Sequence, residues 1–147
     1  VEIELSIRGV CCLRPGVPGL SENITVTSVI DRFLEHARIL YFHHGGDERV
    51  FISSADWMPR NLDRRIELLV PILDDACKRR VINILRTCLR DNMKARTLTP
   101  VGSFLPPVGS PTRPYRSQLE FQRRAREAAE NAFERNRTTF VPVEPNH

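Results

Sequence analysis

Short apolar segments, each closed by turn-forming residues, fill most of the chain before residue 72, and this pattern most constrains the fold. The segment at 2–13 stops at the Pro- and Gly-containing run 14–19, which cannot continue a strand. Two further segments flank the Gly-Gly turn at 45–46, as the strands of a β-hairpin do. Residues 31–35 predict a short helical turn. The segments that predict strands are 2–13, 24–30, 37–42, 50–53 and 66–72.

A long amphipathic helix is predicted at 74–91. Asp74 and Asp75 would stabilise the positive N-terminal end of such a helix. Its apolar stripe at helical spacing consists of Cys77, Val81, Leu85, Cys88 and Leu89. Strands combined with a helix that has one apolar face favour an α/β fold, in which helices cover a mixed sheet.

The composition changes at residue 97. Residues 97–114 contain five of the eleven prolines and two of the seven glycines, which predicts a loop or linker. Alanine and phenylalanine then recur at helical spacing and predict a last helix at 116–136, followed by a frayed tail after residue 137. The sequence therefore divides into an α/β domain at 1–96, a Pro-rich linker or loop at 97–114, and a C-terminal helix with its tail at 115–147.

Length, hydropathy and charge bound the class of protein. The chain has 147 residues, enough for one ordinary domain, and no apolar run approaches the roughly 18 residues of a membrane span. It opens at Val1 directly into a predicted strand, so we expect it to be a piece of a longer protein. The net charge is +4, and the 22 Lys and Arg residues are mostly arginine. Guanidinium groups suit phosphate oxygens, so an anionic partner fits this composition, as does a plain solvated basic surface.

The four cysteines predict neither a disulfide framework nor a zinc site. No Cys-x-x-Cys motif and no Cys/His ligand spacing occurs. Cys77 and Cys88 lie about three turns apart on the predicted helix, which is too far for a disulfide. We therefore expect reduced cysteines in a cytoplasmic protein.

His36 and Arg38 form the most informative pair in the sequence. On an extended strand, residues two apart share a face, so the imidazole and the guanidinium are predicted to lie side by side, with Leu40 on the same face. An imidazole there could take or give a proton while the arginine binds a phosphate. A surface histidine at the junction of two elements would give the same local pattern.

Small polar residues and arginines follow this pair. The loop 53–56 reads Ser-Ser-Ala-Asp, and its small side chains would let the backbone approach a ligand. Ser54 or Asp56 could orient the histidine or bind phosphate oxygens. Arg60 and Arg65 come next, and arginines at the mouth of a strand could clamp a phosphate. An ordinary polar turn and a solvated charge cluster are the alternatives.

Arg8 interrupts an apolar segment near the start of the chain. A charged side chain there is costly unless it meets a partner or reaches a cleft, and the following Gly9 lets another backbone or a ligand come close. Arg8 is therefore a further candidate for binding an anion. An arginine whose charged end extends into solvent is the alternative.

These residues, taken in order, resemble the final catalytic domain of the polyphosphate kinase family. The runs 8–24, 32–38 and 53–67 are similar to three successive motifs of that domain. The resemblance is dense over 1–96 and extends more loosely to 116–119.

That family is similar in fold to the phospholipase D superfamily, whose signature is a His-x-Lys strand followed by a small-residue loop ending in asparagine. Here the run 36–38 and the loop 53–56 occupy those places. Arginine replaces the lysine, His43 stands where an aspartate would fall, and Asp56 replaces the asparagine. These departures argue against phosphodiester hydrolysis and fit the kinase family. The resemblance therefore implies a phospholipase D-like α/β fold with a mixed sheet, flanking helices and a C-terminal helix.

The resemblance implies reversible transfer of the γ-phosphate of ATP to inorganic polyphosphate through a phosphohistidine. The phosphorylated histidine and the residues associated with Mg²⁺ would lie in a preceding domain, so we expect this chain alone to be inactive. His36 matches the family's second essential histidine, with a general acid/base role or a contact with the transferring phosphoryl group. Arg8 and Arg65 match arginines that line the phosphate and nucleotide tunnel. Supporting candidates without a clear assignment are Arg38, Ser54, Asp56 and Arg60.

The partners implied by the resemblance are ATP or ADP, inorganic polyphosphate, the preceding domains of the same chain, and further copies of it, since the family forms homo-oligomers. Mg²⁺ enters only through the family, and no metal ligand is expected within this sequence. Nucleic acid is not expected as a partner. The implied location is the cytoplasm, with peripheral association at the inner face of the membrane.

Two other classes of function stay open on the sequence. A phosphodiesterase or phosphatidyltransferase of the phospholipase D type would share the fold, but should keep the lysine and asparagine that this chain lacks. A non-catalytic polyanion-binding module would explain the arginines and the pI of about 9.2. It would not explain a histidine beside an arginine ahead of the serine loop.

Overall fold

The predicted strands and long helices are present, most of them with shorter bounds, and α1, β6 and β7 are added. The computed structural model describes residues 1–107, 109 and 111–135. Within them, no helix has both the length and the apolar character that crossing a membrane requires. The strands are β1 (Ile3–Ser6), β2 (Ile24–Val29), β3 (Ile39–Phe42), β4 (Arg49–Ser53), β5 (Leu69–Pro71), β6 (Ala95–Leu98) and β7 (Phe104–Leu105). The helices are α1 (Pro59–Leu62), α2 (Asp75–Leu89) and α3 (Ser117–Arg135).

The described strands form two sheets that share one helix. In the first, β1 runs parallel to β2, and β6 and β7 continue antiparallel in the order β1-β2-β6-β7. The second is the antiparallel sheet β3-β4-β5. Because α2 packs against β1, β3, β4 and α3, it contacts both sheets. The predicted α/β fold, with a mixed sheet, flanking helices and a C-terminal helix, is confirmed.

The apolar core draws on both sheets and on α2. Val26 of β2, Val50 of β4, Ile82 of α2 and Leu98 of β6 are each at most 5% exposed. Burying an aliphatic side chain of this size contributes about 1.5–3 kcal/mol relative to leaving it in water. The two sheets are therefore held together mainly through the face of α2 that carries Ile82.

Helix α2 begins and ends close to its predicted bounds. Asp74 caps it, since its carboxylate accepts a hydrogen bond from the Cys77 backbone N–H at 2.8 Å. Cys77 itself is exposed on the first turn, whereas Ile82 and Thr87 are the buried residues of the helix, so the predicted apolar stripe is only partly correct. All four cysteines are free. Burial raises the pKa of the Cys88 thiol to about 11, and this thiol therefore stays protonated and packs as an apolar group.

Residues 31–35 do not form the predicted helical turn. They have no regular secondary structure. The backbone N–H and C=O of Phe33 both bond to the side-chain amide of Gln118, and Asp31 pairs with Arg116. Partners at the start of α3 thus replace the bonds within the segment that a helical turn would need. The prediction of a helical turn is wrong because these partners lie far away in sequence.

The Pro-rich segment carries more structure than its composition predicts. β6 extends to Leu98, and β7 pairs with it inside 97–114. The guanidinium of Arg14 donates to the Pro100 carbonyl at 2.8 Å. Gly16 has φ +69°, a left-handed conformation that would strain any larger residue. The predicted last helix is present as α3, and the expected frayed tail after residue 137 lies outside the described residues.

Asp91, just after α2, joins three elements through one buried carboxylate. Its Oδ1 accepts the backbone N–H groups of Met93, Lys94 and Ala95 at 2.9, 2.7 and 3.2 Å. Its Oδ2 accepts the backbone N–H of Ser117 at 2.7 Å and the Ser117 hydroxyl at 2.8 Å. Burial alone would raise the pKa of Asp91, but the donated hydrogen bonds outweigh it and hold the pKa below its ordinary value. A negative charge at the first turn of α3 also suits the helix dipole.

Replacing Asp91 by asparagine is expected to destabilise the fold. Asparagine would lose the charge and turn N–H donors toward the Ser117 N–H and hydroxyl. We expect the free energy of unfolding to fall by about 2–4 kcal/mol, measured by urea unfolding of this chain followed by circular dichroism. Asp63→Asn is the matched control, because Asp63 is exposed and its change should stay within about 0.5 kcal/mol. Equal losses in the two variants would contradict the role of Asp91.

The loss in Asp91→Asn should also depend on pH. Because the folded pKa of Asp91 is depressed, the carboxylate stabilises the fold above its unfolded pKa of about 4. That contribution is lost as the pH falls through the folded pKa. The difference in stability between the two proteins should therefore shrink below about pH 4. A difference that stays constant through this range would show that the charge is not the cause.

Candidate functional site

The guanidinium of Arg38 contacts both ring nitrogens of the exposed His36 imidazole. Arg38 Nη1 is 3.2 Å from His36 Nδ1, and Nη2 is 3.2 Å from Nε2. Because a neutral imidazole has a single acceptor nitrogen, only one of these two contacts is a hydrogen bond. The sequence predicts this neighbourhood on a strand. In the structure both residues precede β3, which begins at Ile39.

Asp56 holds Arg38 in this position beside His36. Arg38 Nε and Nη2 lie 3.0 and 2.9 Å from the same Oδ1 of Asp56, and the side chains of Arg38 and Asp56 are 19% and 34% exposed. The hydrogen bond from Arg38 is the main reason why the pKa of Asp56 lies below its ordinary value. Partial burial opposes this shift, and the nearby charges of Arg38, His36 and Arg8 add to it. Arg38 is therefore engaged with protein groups and orients the imidazole more than it offers itself to a ligand.

Arg8 reaches the same place from the segment after β1. Its Nη1 donates to the carbonyl oxygen of Glu35 at 2.7 Å, one residue before His36. Arg8 is an exposed residue, and its charge contributes to the lowered pKa of Asp56. Arg8 is thus fixed at one point beside the histidine, with its other N–H donors directed away from that bond.

Ser54 contacts Glu67 and Leu68 at the far end of the β4–β5 loop. Its hydroxyl donates to Glu67 Oε2 and accepts the backbone N–H of Leu68 at 2.9 Å. Asn61 donates to Glu67 Oε1 at 3.2 Å, and Asn61 is 4% exposed. These contacts close the loop between β4 and β5, so Ser54 supports the loop that carries Asp56. Glu67 is the residue that sequence reasoning missed here, although it lies within the run that carries the resemblance.

Among the described residues, Arg60 and Arg65 form no hydrogen bond or ion pair with Arg8, His36, Arg38 or Asp56. Arg60 lies on α1, Arg65 lies between α1 and β5, and both are exposed. Within the part of the chain that the structure describes, neither side chain forms a hydrogen bond or an ion pair. Both are therefore available to an anionic ligand without being positioned by a protein partner.

The cluster does not fit a magnesium site. In residues 1–107, 109 and 111–135 there is no group of three His, Cys, Asp or Glu side chains that could hold a metal ion. The carboxylate of Asp56, which belongs to this cluster, is neutralised by Arg38. A surface that combines an exposed imidazole with two guanidinium groups suits an anion.

Fold and cluster together define a mixed α/β domain with an exposed histidine in a cationic surface. The chain matches the protein family described as "Polyphosphate kinase C-terminal domain 2" over residues 1–118. The chain therefore belongs to the polyphosphate kinase family.

Relatives and a solved structure agree with this assignment. The chain is 57% identical over 122 residues to a polyphosphate kinase of Halalkalibacterium halodurans, covering 82% of this chain and 17% of that protein. It is 62% identical over 104 residues to a polyphosphate kinase of Rhodopirellula baltica, covering 71% of this chain and 12% of that protein. The crystal structure of polyphosphate kinase from Porphyromonas gingivalis matches with a TM-score of 0.81 and 46% identity, over 89% of this chain and 20% of that one. The chain thus spans less than a fifth of the length of these two relatives.

Replacing Arg38 should raise the pKa of Asp56. Because the hydrogen bond from Arg38 is the main cause of the lowered Asp56 pKa, Arg38→Gln should raise that pKa toward its ordinary value. Carboxyl ¹³C NMR titration of this chain would measure it. Arg49→Gln is the matched control, since Arg49 lowers the pKa of Asp47 in the same way. It should move the titration of Asp47 and leave Asp56 unchanged, and an unaltered Asp56 pKa in Arg38→Gln would contradict the pairing.

Proposed function

We propose that this chain is the C-terminal part of a polyphosphate kinase that reversibly transfers the γ-phosphate of ATP to inorganic polyphosphate. The observation that carries the proposal is the contact of His36 with an Asp56-anchored Arg38, in a chain that belongs to this family. Both substrates are phosphate anions, and the exposed surface around this pair is cationic.

The proposed reaction proceeds through a histidine outside this sequence. Its imidazole nitrogen attacks the γ-phosphorus of ATP, the N–P bond forms, and the bond to the bridging oxygen breaks so that ADP leaves. A terminal oxygen of polyphosphate then attacks the same phosphorus, the new P–O bond forms, and the N–P bond breaks. Every step reverses with ADP as acceptor. Stabilising the charge of the phosphoryl group in transit is the main task left to the protein.

His36 is the catalytic residue we assign to this chain. Its ring nitrogens lie 3.2 Å from the Arg38 guanidinium and the residue is exposed, so a phosphate can approach the imidazole and the guanidinium together. A fixed cation beside the ring limits its rotation and adds positive potential at the phosphoryl group. Two roles fit this arrangement, a proton transfer to or from the reacting oxygens and a direct contact with the transferring group.

Arg8 and Arg65 are the proposed phosphate and nucleotide ligands. Arg8 is anchored at Glu35 beside His36, which reduces the entropy lost when a phosphate binds its remaining donors. Arg65 is exposed and would be ordered by the ligand itself. Arg38 and Asp56 act by positioning His36, Ser54 by holding the loop of Asp56, and Arg60 by adding charge near that loop.

The remaining parts of the proposal come from the family. Mg²⁺ would accompany ATP and polyphosphate, with ligands outside this sequence. The preceding domains of the same chain and further copies of the enzyme are the proposed protein partners, and nucleic acid is not one. We place the enzyme in the cytoplasm, with peripheral association at the inner face of the membrane.

His36→Gln should abolish the reaction in the full-length enzyme that contains this sequence. Glutamine keeps a polar side chain but cannot exchange a proton as imidazole does. We expect ATP formation from ADP and polyphosphate to fall by at least about 100-fold, with circular dichroism showing an unchanged fold. The matched control is His43→Gln, because His43 lies in the exposed β3–β4 turn and should keep full activity.

Other outcomes would separate the alternatives. An active, folded His36→Gln enzyme would reduce His36 to a structural residue. An unchanged enzyme that makes no ATP, but hydrolyses phosphodiesters, would favour the phospholipase D-type class. Polyphosphate binding without any turnover would favour a polyanion-binding module.

The 147-residue chain alone is expected to show no kinase turnover, because the phosphorylated histidine is not in it. It should still bind polyphosphate, and this binding should weaken as salt rises, since the attraction is electrostatic and screened. Fluorescence anisotropy with labelled polyphosphate, together with a luminescent ATP assay, would measure both. ATP produced by the purified chain would contradict the proposal.

A further inference from the structure

We propose that the first turn of α3, through Arg116 and Gln118, is a positioning device for the catalytic His36. This inference rests on the proposed function, because it assigns these residues to the same phosphoryl transfer. They do not touch the reacting groups. They act by fixing the irregular segment 31–35 that leads into His36.

The segment 31–37 lacks the support that a strand or helix would give it. In the described part of the chain, no backbone-to-backbone hydrogen bond holds these residues. The nearest such bonds are at Ile30, which donates to the Lys94 carbonyl at 3.3 Å, and at Arg38, whose carbonyl accepts the Ser53 N–H at 2.9 Å. The position of His36 between them must therefore be set by side chains.

Gln118 supplies most of this support. Its Oε1 accepts the Phe33 backbone N–H at 2.8 Å, and its Nε2 donates to the Phe33 carbonyl at 2.7 Å. Nε2 also donates to Glu35 Oε1 at 2.9 Å. Gln118 is 5% exposed. Only a primary amide of this length offers an acceptor and two donors. The side chain therefore bonds to both backbone groups of Phe33, as the backbone of a neighbouring strand would.

Two further contacts complete the arrangement around Glu35 and Asp31. The carbonyl of Glu35 accepts the bond from Arg8, so Glu35 is fixed through both its side chain and its backbone, immediately before His36. Arg116 Nε donates to Asp31 Oδ2 at 2.7 Å, and the Asp31 side chain is 2% exposed. The bond from Arg116 lowers the pKa of Asp31, which keeps this pair charged. The position of the imidazole therefore depends on the contacts that α3 makes with the segment before His36.

The test uses Gln118→Met in the full-length enzyme, with Gln122→Met as the control. Methionine fills the same space without hydrogen bonds, and Gln122 is exposed on the same helix. We expect kcat for ATP formation to fall at least about tenfold in Gln118→Met, with KM for ADP and polyphosphate within about threefold. The control should match the unchanged enzyme. A kcat within threefold of the unchanged enzyme in Gln118→Met, or equal losses in both variants, would overturn the inference.

Gln118→Glu gives a second readout that a loss of folding would not produce. A charged glutamate keeps the acceptor for the Phe33 N–H but has no donor and repels Glu35, whereas a protonated glutamate regains one donor. Activity relative to the unchanged enzyme should therefore recover as the pH is lowered from about 8 to about 5.5, since the neighbouring Glu35 favours protonation. A ratio that does not change with pH would count against the positioning role.

The two proposals fail in different ways. If the unchanged enzyme makes no ATP, or if His36→Gln stays active, the proposed function fails whatever Gln118 does. If His36→Gln is inactive while Gln118→Met retains full kcat, only the positioning role of α3 fails.

Discussion

The buried carboxylate of Asp91 is the interaction on which the arrangement of the other elements depends. It follows α2, the helix that packs on both sheets, and it binds the start of β6 and the first turn of α3. A buried charge is tolerated only where several donors neutralise it, so these partners must be in place together. The end of α2, the start of β6 and the beginning of α3 therefore have one common anchor.

Most of the fold follows from short-range patterns, and the exceptions have long-range causes. Periodicity and the Asp74 cap place α2 within two residues of its ends, and the turn at 43–47 places the β3–β4 hairpin. The two-residue strand β7 is different, because it exists only through its pairing with β6. The segment 31–35 reads locally as a helical turn, but its partners lie 83 to 85 residues away in sequence.

The sequence indicates which residues form the candidate site better than it indicates which contacts they make. A spacing of two residues is enough to predict that His36 lies beside Arg38. The sequence does not reveal that Asp56 forms an ion pair with Arg38 or that Glu67 accepts a hydrogen bond from Ser54. These pairings depend on how the β4–β5 loop closes. Gln118 lies in the run 116–119, to which the resemblance extends only loosely, and nothing in that run indicates its contact with Phe33. Its importance comes only from the tertiary contact that brings α3 to the segment before His36.

The magnitudes explain why Gln118 cannot hold that contact alone. Joining residues separated by 85 positions costs on the order of 4 kcal/mol in chain entropy. The three bonds of Gln118 contribute about 0.5–1.5 kcal/mol each, which only roughly offsets this cost. The charged contacts of Asp91 with Ser117 and of Asp31 with Arg116 must supply the excess. The contacts of these buried carboxylates therefore stabilise the packed position of α3. The ordering of the segment before His36 depends on that position.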